Sequence, residues 1–270
     1  MKKLFFATVV AAMAIAVNAS AQISVGVGYA NETQITKEKT LPTDEGVTGY
    51  DWIKTRDHLN GFYVEAAYNW EFAKVGPGAL ALQPGLRYSC LQYTDYVRKG
   101  ESKSESYSTK YSLKRNFSDH FIDMPIHVKY AYDVVPGAVK AYAFAGPVLS
   151  FGLACKDVDV SKGSVTNGSN TEKGEIIQRY NRYTGKYYIK TYNPETKKHE
   201  VEKGKDDIYK EYDMFDLKLA LGLGVTVAEK VDIKFGYNIG LLNRAFIKNV
   251  DNVKTSVHSN ILYFGAAYNF

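Results

Sequence analysis

The residues of this 270-residue chain with the means to do chemistry are five histidines, two cysteines and charged side chains at even spacing in extended segments. His58, His120 and His258 fall near the outer ends of three such segments, and three imidazoles could form a zinc set. Those segments are not neighbours, so surface histidines without a metal are expected. Ser118, Asp119 and His120 supply the types of a nucleophile, an acid and a base. Consecutive residues on a strand point to alternating faces, which keeps the three apart. No His-Glu-x-x-His, Cys-x-x-Cys or phosphate-loop pattern is present. The expectation is a protein that is not an enzyme and carries no catalytic residue, metal or cofactor.

Where these residues sit depends on the elements that carry them. Residues 1–21 read as a cleaved signal peptide. Lys2 and Lys3 precede an apolar run from Leu4 to Val17, and Ala19, Ser20 and Ala21 stand before Gln22. That leaves 22–270 as one exported domain. Export permits Cys90 and Cys155 to form a disulfide, although spacing does not show that they meet. No later run suits a membrane helix. The net charge of +5 includes the two leader lysines and points to no particular partner. Tyrosine is unusually frequent, at 22 residues beside 13 Phe, and such enrichment favours strands.

Beyond the leader the dominant period is two. In "FYVEAAYNWEF", Phe62, Val64, Tyr68, Trp70 and Phe72 share one face, and Glu65 and Glu71 the other. Eight segments follow this rule, near 23–31, 58–72, 79–96, 118–133, 138–155, 212–228, 231–244 and 258–270. The fifth is apolar on both faces around Gly146 and Pro147, where a bulge is expected. Long connections (32–57, 97–117, 156–211 and 245–257) alternate with short ones. This pattern predicts an all-β fold, an eight-stranded antiparallel up-and-down transmembrane β-barrel. It places long loops outside the cell and short turns in the periplasm of a Gram-negative bacterium. Tyr68, Trp70, Phe72, Tyr130, Tyr132, Tyr268 and Phe270 then form one periplasmic aromatic girdle.

The inward faces carry Glu65, Glu71, Asp123, Asp216 and Asp232 against Arg87, Lys129, Lys218, Lys234 and, when protonated, His127. Asp216/Lys218 and Asp232/Lys234 lie on adjacent strands and could pair across them. A barrel of eight strands is just wide enough for its side chains to fill it, so a polar plug is expected in place of a channel.

The phrases "FIDMPIHVKYAY", "AYAFAGPVLSFGL", "FDLKLALGLGV", "IKFGYNIGLLN" and "LYFGAAYNF" resemble successive strands of the PorT-like outer-membrane β-barrel family of Bacteroidetes. Pro125, Lys129 and Tyr130 carry the most specific match, with Met124 in place of the usual Ile. The resemblance implies an eight-stranded outer-membrane barrel, in a family with some members linked to protein secretion and gliding. Gly265, Tyr268 and Phe270 also resemble the signal read by outer-membrane insertion machinery, with Tyr263 at a position that is usually polar.

Within 156–211, which includes an Asn-Pro turn signal and is expected to project as a hairpin, Arg179, Tyr180, Arg182, Tyr183, Lys186 and Tyr187 interleave cations with aromatic rings. Such a surface suits anionic sugars or lipid headgroups. The expected partners are outer-membrane lipid, the insertion machinery and an extracellular or secretion-complex partner, with no nucleic acid. The leading reading is a structural or surface-recognition barrel. Narrow solute transport, assistance to a secretion machine and lipid modification are the alternatives.

Overall fold

The computed structural model describes residues 21–40, 53–103, 107–167, 170–250 and 253–270. The expected signal peptide lies, but for Ala21, outside the described residues. Among the described residues there are twelve strands: β1 (Ala21–Thr40), β2 (Ile53–Val75), β3 (Gly78–Lys103), β4 (Tyr107–Val135), β5 (Val139–Asn167), β6 (Asn170–Asn181), β7 (Lys186–Asn193), β8 (Lys198–Lys205), β9 (Phe215–Val227), β10 (Val231–Gly240), β11 (Asn249–Val250) and β12 (Val253–Asn269). Pairing runs β4-β3-β2-β1-β12-β10-β9-β5, and β5 pairs back with β4, so eight antiparallel strands form a closed ring. Gly76 and Gly137, both at positive φ, make the turns after β2 and β4. The turn after β9 uses Ala228 and Glu229 in the same left-handed region.

Alternation explains the ring. Inward positions hold the buried charges, and outward positions hold exposed Val, Leu, Ile and aromatic side chains. Trp70, Phe72, Tyr130, Tyr132, Tyr268 and Phe270 mark the short-turn end of this apolar face. A second aromatic row marks its other end. Tyr29 is opposite Phe62, Tyr88 and Phe151 are both opposite Ile122, and Phe151 is opposite Phe215. Beyond this row outward positions become polar, and Asn31 Nδ2 donates to Asn60 Oδ1 at 2.7 Å. From Tyr132 to Ile122 the strand length matches the roughly 9–11 tilted residues that cross a bilayer.

Above the second row the ring parts. The β2–β3 ladder stops at Asn60 and Gln92, and the β5–β9 ladder at Phe151 and Phe215. From Lys156 upward β5 takes β6 as its neighbour instead of β9. The upper parts of β3, β4 and β5 therefore continue with β6, β7 and β8 as a six-stranded blade. The upper parts of β2, β1 and β12 form a smaller leaf.

Two expectations change here. Most of 97–117 and 156–211 is strand, because a sheet wetted on both faces keeps Tyr, Thr, Val and Ile but loses the apolar alternation that marks a buried face. No bulge occurs at Gly146 and Pro147, whose register against β9 is unbroken. A Cβ on Gly146 would lie 2.0 Å from the Ile126 carbonyl oxygen, so the glycine serves close strand approach. The bulges fall at His120/Phe121 and Asp133/Val135 on the β4–β5 ladder.

Candidate functional site

The interior of the ring is built from charged side chains on neighbouring strands. Glu65 on β2 is opposite Arg87 on β3, and Arg87 Nε donates to Glu65 Oε2 at 2.6 Å. Lys234 on β10 reaches the other oxygen of the same carboxylate from across the lumen. The Arg87 guanidinium lies between two rings, 4.7 Å from the Tyr63 centroid and 4.1 Å from that of Tyr263. These side chains are all nearly inaccessible, Arg87 at 2 %. Tyr63 fits because Gly28 and Gly265 face it without side chains; a Cβ on Gly265 would sit 2.1 Å from the Tyr63 hydroxyl.

Toward the short turns, Asp232 accepts from Tyr142 Oη (2.7 Å) and Thr226 Oγ1 (2.8 Å). Lys129 Nζ stands 3.8 Å from Asp232 and 3.5 Å from the centre of the Tyr142 ring. Toward the other end, Lys218 Nζ lies 3.6 Å from Asp123 and donates to Ser150 Oγ at 3.1 Å. His127 is buried with its ring against Phe144. Burying such charges is favourable only when they are well paired, so each pair fills space and holds its strands in register.

The pairing scheme differs from the one read along the sequence. Asp232 is opposite Thr226 and Lys234 opposite Gly224, whereas Lys218 is opposite Gly240. Asp216/Lys218 and Asp232/Lys234 thus occupy opposite ends of the β9–β10 ladder, and Lys218, Asp232 and Lys234 pair with other residues. Asp216, buried, instead shares a cross-strand row with Ser150 and Asp123. Glu71 is exposed at the short-turn mouth, next to a register shift at Glu71/Ala73.

A further buried layer, not anticipated from the sequence, sits where the ring parts. Arg244, in the segment after β10, lies 3.5 Å from Glu32 and 3.4 Å from Asp119. Tyr183 Oη donates to both Asp119 oxygens, at 2.7 and 2.9 Å, and Ser259 donates to Glu32. Glu32 continues the inward alternation of β1, which was the available signal. Arg244 sits in irregular chain, where no period could reveal it. Above this layer Asp157 accepts from Arg115 (3.0 and 2.7 Å) and from Arg182 (3.2 and 2.6 Å). Burial works against the Asp157 charge, but the hydrogen bonds from Arg115 and Arg182 outweigh it and hold the carboxyl below its ordinary range.

Tyr183 and Arg182 are therefore not exposed recognition residues. Tyr183 is 3 % accessible, seated over Gly152, and Arg182 is spent on Asp157 and Glu211. Tyr180 and Tyr187 face each other across β6 and β7, and both rings pack at a tilt against Tyr209. Arg179 and Lys186 remain exposed.

His58 hydrogen-bonds with Thr33 and His120 with Tyr88, on separate parts of the surface. Asp119 points inward to Tyr183, while His120 takes the opposite face. Cys90 and Cys155 are free thiols on opposite faces of the sheet, because Cys155 is buried opposite Asp119 and Cys90 is opposite His120. Tyr268 and Phe270 point outward with ring centroids 5.0 Å apart, and Phe270 N donates to Ile23 O at 2.9 Å.

Comparison with known proteins adds a family. Three solved structures align over nearly the whole chain. Ail of Yersinia pestis is 13 % identical, covers 93 % of this chain and 99 % of its own, and gives a TM-score of 0.32. Neisserial surface protein A is 14 % identical with the same coverages and a TM-score of 0.32. The outer membrane protease OmpT of Escherichia coli is 9 % identical, covers 96 % of this chain and 100 % of its own, and scores 0.28. No curated protein matches the sequence. The family model for the outer membrane protein β-barrel domain matches residues 16–244, most of the strands described above. The chain belongs to the outer-membrane β-barrel domain family.

Proposed function

We propose that this protein is a sealed eight-stranded outer-membrane barrel that mounts an extracellular β-blade for surface recognition, with no catalytic role. The observation that carries the reading is the parting of the ring. Its lower part is closed and filled by Arg87, Glu65, Lys234, Lys129 and Asp232, while β3, β4 and β5 continue outward from one side and are joined there by β6, β7 and β8. A filled lumen offers solutes no path, which leaves the blade as the surface with contacts to make. Pro125, Lys129 and Tyr130 on β4 support placing the chain in the PorT-like branch of the family.

The test removes part of the blade and spares the ring. Asp206 N donates to Gly185 O at 2.9 Å, so excising 186–205 and joining those two residues requires little rearrangement. Arg182 and Tyr183, which tie the blade base together, stay in place. The expected result is a barrel that still inserts and shows heat-dependent gel mobility but loses binding to surfaces or cells. Unchanged binding would overturn the recognition reading.

A further inference from the structure

The outward face of the blade carries a cleft of about 890 Å³ across β3, β4, β5 and β6. Register defines its two walls. Lys99, Ser112, Lys162 and Glu175 are successive cross-strand partners, so their side chains share a face. Glu101, Lys110, Ser164 and Lys173 form the parallel row two residues on, on that same face. Main chain at Gly100, Tyr111, Gly163 and Gly174 floors the space between, and Tyr192 stands at the β7 side against His199.

Charge within the cleft is unbalanced in a specific way. Lys162 pairs with Glu175 at 2.8 Å, and Lys110 with Glu101 at 3.5 Å. Lys99 and Lys173 have no acidic partner among the described residues. They stand at diagonally opposite ends, three strand spacings across and two residues along, roughly 16 Å apart. That is too far for one phosphate or sulfate group and suits a chain bearing repeated negative charges. From Ile122, beside the aromatic row, to Lys110 the strand climbs roughly 40 Å at 3.3 Å per residue, about 30 Å in height after tilt. Lipid headgroups reach only some 5–8 Å beyond the hydrocarbon, so they cannot fill a cleft at that level.

We infer that this cleft binds an acidic polysaccharide, with Lys99 and Lys173 taking its charges and Tyr192 offering a flat face to a sugar ring. This rests on the recognition reading above and names its ligand class. The test uses full-length protein in detergent and carboxymethyl-dextran, with neutral dextran of the same length and phosphatidylglycerol vesicles as alternative probes, at physiological salt. Binding to carboxymethyl-dextran alone is expected. The double substitution Lys99→Ser and Lys173→Ser should weaken it by about tenfold, as two exposed charge contacts are lost. Lys203→Ser with Lys205→Ser, which removes equal charge from β8, should leave affinity within about twofold.

Equal losses in the two double variants, preference for vesicles, or no carboxymethyl-dextran binding would each overturn the inference. If that happens while excision of 186–205 still abolishes surface binding, only the ligand class is wrong. If the excision also has no effect, the recognition reading itself has failed.

Discussion

The ring and the blade are made from the same strands yet are stabilised differently. In the ring each strand has a neighbour on both sides, a lipid-facing apolar side and an inward side of paired charges. In the blade both faces meet water, β8 is the edge strand among the described residues, and the cations and acids that touch one another are largely exposed. An ion pair in the lumen cannot be replaced by water, whereas one on the blade can. Stability is therefore expected to concentrate in the ring, which leaves the blade able to vary under the proposed recognition role.

This contrast can be broken most severely at Arg87. Arg87→Leu leaves the buried Glu65 with Lys234 alone, and a loss of about 3–5 kcal/mol is expected, read as a lower urea midpoint for the whole barrel. A change confined to the blade would show that the lumen network is not what holds the ring.

At the junction, Arg182→Leu removes one of the two arginines on Asp157. The blade should loosen by about 1–3 kcal/mol, visible as faster proteolysis within 156–205, with unchanged heat-dependent mobility of the barrel. Global unfolding instead would mean that the two regions fold as one unit. Acid acts at the same place. Because the folded Asp157 carboxyl titrates below its unfolded counterpart, its contribution is complete above the ordinary carboxylate range and disappears as pH falls through the lower folded value. Hydrogen-exchange protection factors over 156–182, corrected for intrinsic exchange, should thus be maintained at pH 5 and fall only below about pH 4, the ordinary aspartate range. A fall already at pH 5–6 would contradict the assignment.

The smallest effect is expected at Lys110. Its pair with Glu101 is exposed, and Lys110→Ala should change stability by no more than about 0.5 kcal/mol. Measured beside Arg87→Leu, it sharpens the contrast between similar pairs in two surroundings.

Sequence revealed the ring wherever one face met lipid and the other met paired charge, as in "HFIDMPIHVKYAY". It did not reveal the blade, since two wetted faces erase the period that marks a buried one. The inward position of Glu65, Arg87 and Lys129 was legible from alternation, but their partners were not. Stagger between strands, which separates Lys218 from Lys234, has no local signature. Tyr183 shows the reverse problem: a tyrosine among cations in a polar segment looks exposed until the fold turns it over Gly152 toward Asp119. The upper aromatic row went unread because Tyr29, Phe62, Tyr88, Phe151 and Phe215 are lined up only by register.

Conductance across a planar bilayer tests most directly the claim that the ring is a closed mount and that contacts are made by the blade. Purified protein, inserted and shown folded by its gel mobility, should give no steady current steps over the background membrane. Stable, ohmic steps in the unaltered protein would contradict the account and make the lumen a pathway.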